Sequence, residues 1–144
     1  MNDLLLEVKR ELDSLRALIS CDVAAVAWIH SAHNFFRWRY ISGNRNDRYQ
    51  RISFKAGHGL SGMAARLGRS IEANPLLRDT YRLRQDSALM LAEQLHSAFA
   101  APIFGVDDIP NGVVLVGHRN AYSFVPHDTA LVEQTARRLG TLKF

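Results

Sequence analysis

Leu5, Val8, Leu12, Leu15 and Ile19 follow one another at alternating steps of three and four. That spacing predicts an amphipathic helix with one apolar stripe, capped at its start by Asn2 or Asp3. Two heptads are too few for a free coiled coil, so the stripe is expected to pack on another helix, in this domain or in a second copy. The period changes after Asp22. Val23, Ala24, Ala25, Val26, Ala27, Trp28 and Ile29 form an unbroken apolar run, the signature of a buried strand. Beyond a turn at His33 and Asn34, Phe36, Trp38, Tyr40 and Ser42 alternate with Arg37, Arg39 and Ile41, which predicts a second strand. Gly43 to Asp47 is turn-like, and Ile52, Phe54 and Ala56 alternate with Ser53 and Lys55 as a third strand.

The second half opens with a short helix from Leu60 to Leu67, stopped by Gly68, and a brief strand from Ser70 to Ala73 that Asn74 and Pro75 break. Residues 76–85 are polar and basic without a clean period, a loop or irregular helix covering something. Ser87 to Leu95 has helical composition. Ala98 to Phe104 and Val113 to His118 flank the turn residues Asp107, Asp108, Pro110, Asn111 and Gly112, and so read as a hairpin of buried strands. A last helix is expected from Pro126, with Asp128 near its start, Leu131, Val132, Thr135 and Leu139 facing inward, and Gly140 as its cap. This order predicts an α+β fold: an antiparallel sheet with the terminal helices on one face and the variable segment on the other. A small-molecule pocket is expected beneath that segment.

The chain has 144 residues, 47% of them hydrophobic, which fits a single domain over 1–144 that buries roughly 70% of its unfolded surface. No stretch approaches the ~20 apolar residues of a membrane span. Asp3, Glu7, Glu11 and Asp13 among the first leucines fit neither a signal nor a transit peptide, so the expected location is the cytoplasm. Cys21 is the lone cysteine, which excludes an internal disulfide, a zinc site built on several thiolates, and a resolving-cysteine cycle within one chain.

Net charge is +4, unevenly placed. Arg37, Arg39, Arg45, Arg48, Arg51, Lys55, Arg66 and Arg69 face only Asp47 in their stretch, a bias that attracts anions and also reads as a solvated basic face. Nucleic acid is not the expected partner, because no helix-turn-helix, zinc finger, aromatic RNA-binding strand or GXXG clamp accompanies the charge. Catalytic signals are poor. Gly59-Leu60-Ser61-Gly62 is one residue short of a nucleophile elbow, and no histidine pair stands at metal-ligand spacing with an acid. No catalytic residue, metal or cofactor is therefore expected. The segment Ala56 to Ala65 does carry a mechanism: its glycines follow a strand and open a helix, leaving the amides of Leu60, Ser61 and Gly62 to face a small anion. Such glycines also serve purely steric ends.

At this segment the chain resembles a GAF domain, through Gly57, Gly59, Leu60, Gly62, Ala65, Gly68 and Ile71. Ala101, Pro102 and Ile103 with Gly112, Val113, Leu115 and Gly117 are similar to that family's closing hairpin. More narrowly, the run Arg37 to Asn46, with Arg48, Tyr49 and Arg51, resembles the nitrate-receptor GAF proteins of the NreA type. That resemblance implies a cytoplasmic receptor, not an enzyme, which holds nitrate and regulates a sensor histidine kinase of a two-component system controlling nitrate- and oxygen-responsive respiration. It places the pocket tryptophan on Trp38 and amide donors on Leu60, Ser61 and, by a gap-dependent alignment through Glu93 and Leu95, Leu89. Ser87 or Ala88 stands where the family has a pocket aromatic. Met63, Leu67, Ile71, Leu89 and Met90 are expected to close the rest.

Nitrate is planar, weakly basic and singly charged, so neutral N–H donors at a helix start suit it better than an arginine salt bridge. Trp38 also reads as an ordinary core aromatic. Rival readings are a GAF pocket for a cyclic nucleotide, with Arg66, Arg69, Arg78, Arg82 and Arg84 meeting its phosphate, and a dimerisation module. A homodimer would use the first and last helices. A GAF enzyme reducing free methionine sulfoxide needs a pocket thiol, and Cys21 lies far from the pocket segments.

Overall fold

The computed structural model describes residues 2–30 and 35–142; the turn expected at His33 and Asn34 lies outside them. Among the described residues six strands form one antiparallel sheet: β1 (Val23–His30), β2 (Phe35–Ser42), β3 (Ser53–Phe54), β4 (Ile71–Ala73), β5 (Ser97–Phe104) and β6 (Pro110–His118). Their order is β3-β2-β1-β6-β5-β4, so β1 and β6 lie at the centre and the apolar runs that predicted them are covered on both faces. Among the described residues five α-helices flank the sheet: α1 (Asn2–Ile19), α2 (Gly59–Leu67), α3 (Thr80–Gln85), α4 (Ala88–Ala92) and α5 (Pro126–Gly140).

Two cores result, one per face. Val8, Leu12, Leu15 and Ile19 of α1 pack with Val132, Ala136 and Leu139 of α5 over Ala24, Val26, Val114 and Val116. Leu60 and Ala64 of α2, with Leu89 and Met90 of α4, cover Ala25, Ala27, Val113 and Leu115 on the other face. The expected division of terminal helices from variable segment thus holds. The α1 stripe is consumed within the domain, except for Leu5, which is 44% exposed.

Two local readings are corrected. Strict alternation in β2 would set Phe36, Trp38, Tyr40 and Ser42 on one face, but Val26 pairs with Tyr40 while Ala27 pairs with Trp38, leaving Arg39 as an extra residue. This bulge reverses the facing beyond it. Phe36, Trp38 and Ile41 join the α2 side, whereas Tyr40 joins the terminal-helix side and Ser42 bonds Asp13 and Arg16 of α1. Gly140, expected as the cap of the last helix, is instead the final residue of α5, followed by Thr141. A Cβ at Gly140 would stand 2.3 Å from the Phe104 carbonyl oxygen, so glycine lets the helix approach β5 closely. Among the described residues no helix is long and apolar enough to cross a membrane.

Candidate anion-binding site

The start of α2 is shaped by its first residue. Gly59 holds φ +73°, and a Cβ there would lie 2.6 Å from the Asp86 carbonyl oxygen and 2.9 Å from Ser87 Oγ. Only glycine admits both the left-handed backbone and this close approach. The variable segment can therefore seat directly over the helix start. Between them, and above Leu115 of β6, lies a cavity of about 300 Å³.

Trp38, Ser61 and Leu89 all line this cavity, with Phe54 on one wall and Gln85 to Leu91 on the other. Trp38 is buried, its ring 5.4 Å from that of Phe54 at 44°. Ser61 and Leu89 are buried as well, and each lies in the first turn of its helix, where amides have no acceptor within the helix. Leu60 differs. It does not line the cavity, its side chain belongs to the core, and its N–H donates to Ser87 Oγ at 2.8 Å. Of the side chains expected to close the pocket, Leu89 and Met90 do so, while Met63, Leu67 and Ile71 do not.

The lining includes Asp86 and neither lysine nor arginine. Positive charge lies outside it: Arg48 and Arg51 border an adjoining cleft with Ala88, Leu91 and Ala92. Basic side chains bordering a cleft attract anions to it. None of the arginines suited to a nucleotide phosphate lines the cavity, and Arg84 donates from Nε to the Leu95 carbonyl at 2.6 Å. Cys21 packs in the core on the opposite face, where burial pushes its thiol up to about 12. Among the described residues no group of His, Cys, Asp and Glu is arranged to hold a metal ion.

The pairings of two contributors escaped the sequence. Ser87, expected only where the family has a pocket aromatic, directly precedes α4, yet its hydroxyl serves α2. Glu93, legible only as an alignment anchor, is 1% exposed and fixes the end of α4. Its Oε1 accepts the Arg45 N–H at 2.8 Å and Arg119 Nη2 at 2.6 Å, while Arg119 Nε donates to the Glu93 carbonyl at 2.9 Å. Asn46 Nδ2 adds a bond to the Ala92 carbonyl at 3.0 Å. The wall bearing Leu89 is thereby anchored to the turn after β2 and to the residue after β6.

The model of the GAF domain family matches residues 9–142. A Staphylococcus aureus NreA protein mutated in its nitrate-binding site is similar at 28% identity, over 82% of this chain and 88% of that one, with a TM-score of 0.70. A hypothetical protein from S. aureus is 30% identical, over 79% and 94% of the two chains, with a TM-score of 0.68. Free methionine-R-sulfoxide reductase from Neisseria meningitidis, at 13% identity over 97% and 77%, reaches a TM-score of 0.75, a likeness of fold alone. No curated protein sequence matches the chain. With the family model spanning nearly all of the described sheet and helices, the chain belongs to the GAF domain family.

Proposed function

We propose that this GAF domain is a non-catalytic nitrate receptor that regulates a sensor histidine kinase in the cytoplasm. The observation that carries the reading is the cavity itself: a tryptophan wall, the first turns of two helices lining one space, and no lysine or arginine in the lining. Similarity to the NreA protein from S. aureus supports nitrate as the ion. Trp38 would supply its indole N–H, and Leu60, Ser61 and Leu89 their amides. The volume exceeds what a four-atom ion fills, so binding is expected to draw α3 and α4 inward. No observation favours a nucleotide, whose phosphate would find no arginine in the lining.

Calorimetric titration tests the donor set. Trp38→Phe keeps a flat apolar wall and deletes the indole N–H, so nitrate affinity should fall about ten-fold, roughly 1.4 kcal/mol. Ser61→Ala should leave affinity within a factor of about two, because its backbone amide is the donor. The reverse ranking would show that the hydroxyl binds the ion.

A receptor with no catalytic group signals through shape. Fastening α2 to the segment 76–91 makes that segment the readable element, and exposed Arg78 and Arg82 offer the kinase a basic docking surface. The ligand-free protein is expected to inhibit kinase autophosphorylation, with nitrate relieving the inhibition. Inhibition that is identical with and without saturating nitrate would remove kinase control from the reading while leaving binding intact.

A further inference from the structure

Ser87 is the N-cap of α4, in extended backbone with φ −111° and ψ 93°. A serine in that place ordinarily turns its hydroxyl onto an early amide of its own helix, and here it makes no such bond. Its Oγ accepts the Leu60 N–H of α2 at 2.8 Å and donates to the Leu83 carbonyl of α3 at 2.6 Å. The side chain also lines the cavity beside Ser61 and Leu89. One hydroxyl therefore occupies the amide that an anion would seek at the start of α2, and it does so from within the site.

We infer that Ser87 is a specificity-determining residue of the anion site, an internal cap that competes with the ligand for the Leu60 amide. This rests on the anion-binding reading above. A neutral acceptor entering the cavity exchanges one neutral hydrogen bond for another and gains nothing at Leu60. An anion makes a charge-assisted bond roughly twice as strong and displaces the hydroxyl. The cap thus selects charged ligands over neutral ones, at some loss of affinity for both. Displacement also disturbs the Ser87–Leu83 bond, which joins α4 to α3, so the event at the cavity reaches the segment carrying Arg82.

The test compares the wild type with Ser87→Ala and Ser87→Thr, using nitrate calorimetry and amide hydrogen exchange of the ligand-free proteins. Ser87→Ala is expected to bind nitrate about five-fold more tightly, because no bond must be broken at Leu60, and its Leu60 amide should exchange faster than in the wild type. Ser87→Thr keeps the hydroxyl and should retain wild-type affinity and Leu60 protection. A serine with a merely structural role predicts weaker or unchanged binding on truncation. Either of those results, in a protein whose wild type takes up nitrate, overturns the proposal alone, as does unchanged Leu60 exchange in Ser87→Ala. Failure of the wild type and Ser87→Ala alike to take up nitrate overturns the receptor reading and this proposal with it.

Discussion

Replacing Glu93 with alanine is expected to cost about 3–5 kcal/mol of stability and to lower Tm by roughly 10 °C or more. The carboxylate is enclosed, its side chain fully covered and that of Arg119 only 15% exposed. Removing one partner of such a pair leaves the other charge without compensation, which costs far more than the intact pair contributes. The loss goes beyond Arg119. The Arg45 N–H also loses its acceptor, and the turn after β2 is freed from the end of α4. Glu93→Gln keeps an acceptor oxygen for Arg45 and should fall between the wild type and Glu93→Ala. Differential scanning calorimetry measures the difference. A loss below about 1 kcal/mol would mean that Arg119 re-solvates easily and that the clasp is ornamental to the fold.

The same residues explain what the sequence could and could not tell. Val23 to Ile29 was legible as a central strand because burial on both faces demands an unbroken apolar run, and the structure covers both faces. The stripe of α1 was legible because Val8, Leu12, Leu15 and Ile19 all enter one core, with α5 and the sheet. The bulge at Arg39 was not: an aromatic residue stands on each side of it, so an extra residue leaves the composition unchanged while reversing the facing of Tyr40 and Ser42. Gly140 misled because a glycine near a helix end signals a left-handed cap and close packing equally well. At the site, composition supplied only the glycine-framed helix start. Trp38 and Leu89 came from the resemblance, and the structure sets both against one cavity with Ser61. The pairings of Ser87 and Glu93 stayed hidden because their partners lie 27 and 48 residues away, at Leu60 and Arg45, and no local pattern encodes such contacts.

Nitrate at about 100 times its dissociation constant should stabilise the native domain by about 2.7 kcal/mol and raise Tm by roughly 5–10 °C, since it binds the folded state alone. Sulfate and phosphate at matched ionic strength should not. The difference follows from the walls of the cavity. A doubly charged anion must shed a costly hydration shell, and the lining holds neither lysine nor arginine to offset that cost. Asp86, in the lining between α3 and α4, adds repulsion that grows with ligand charge. A singly charged, weakly basic ion loses less on entry and can be matched by neutral donors at the start of α2. Thermal shift across nitrate, sulfate, phosphate and a cyclic nucleotide separates the alternatives. Equal stabilisation by sulfate would place binding at the surface cleft of Arg48 and Arg51, where charge rather than shape decides. A flat nitrate titration beside a clear nucleotide shift would instead show that the cavity opens for a larger ligand, with α3 and its arginines moving to meet the phosphate.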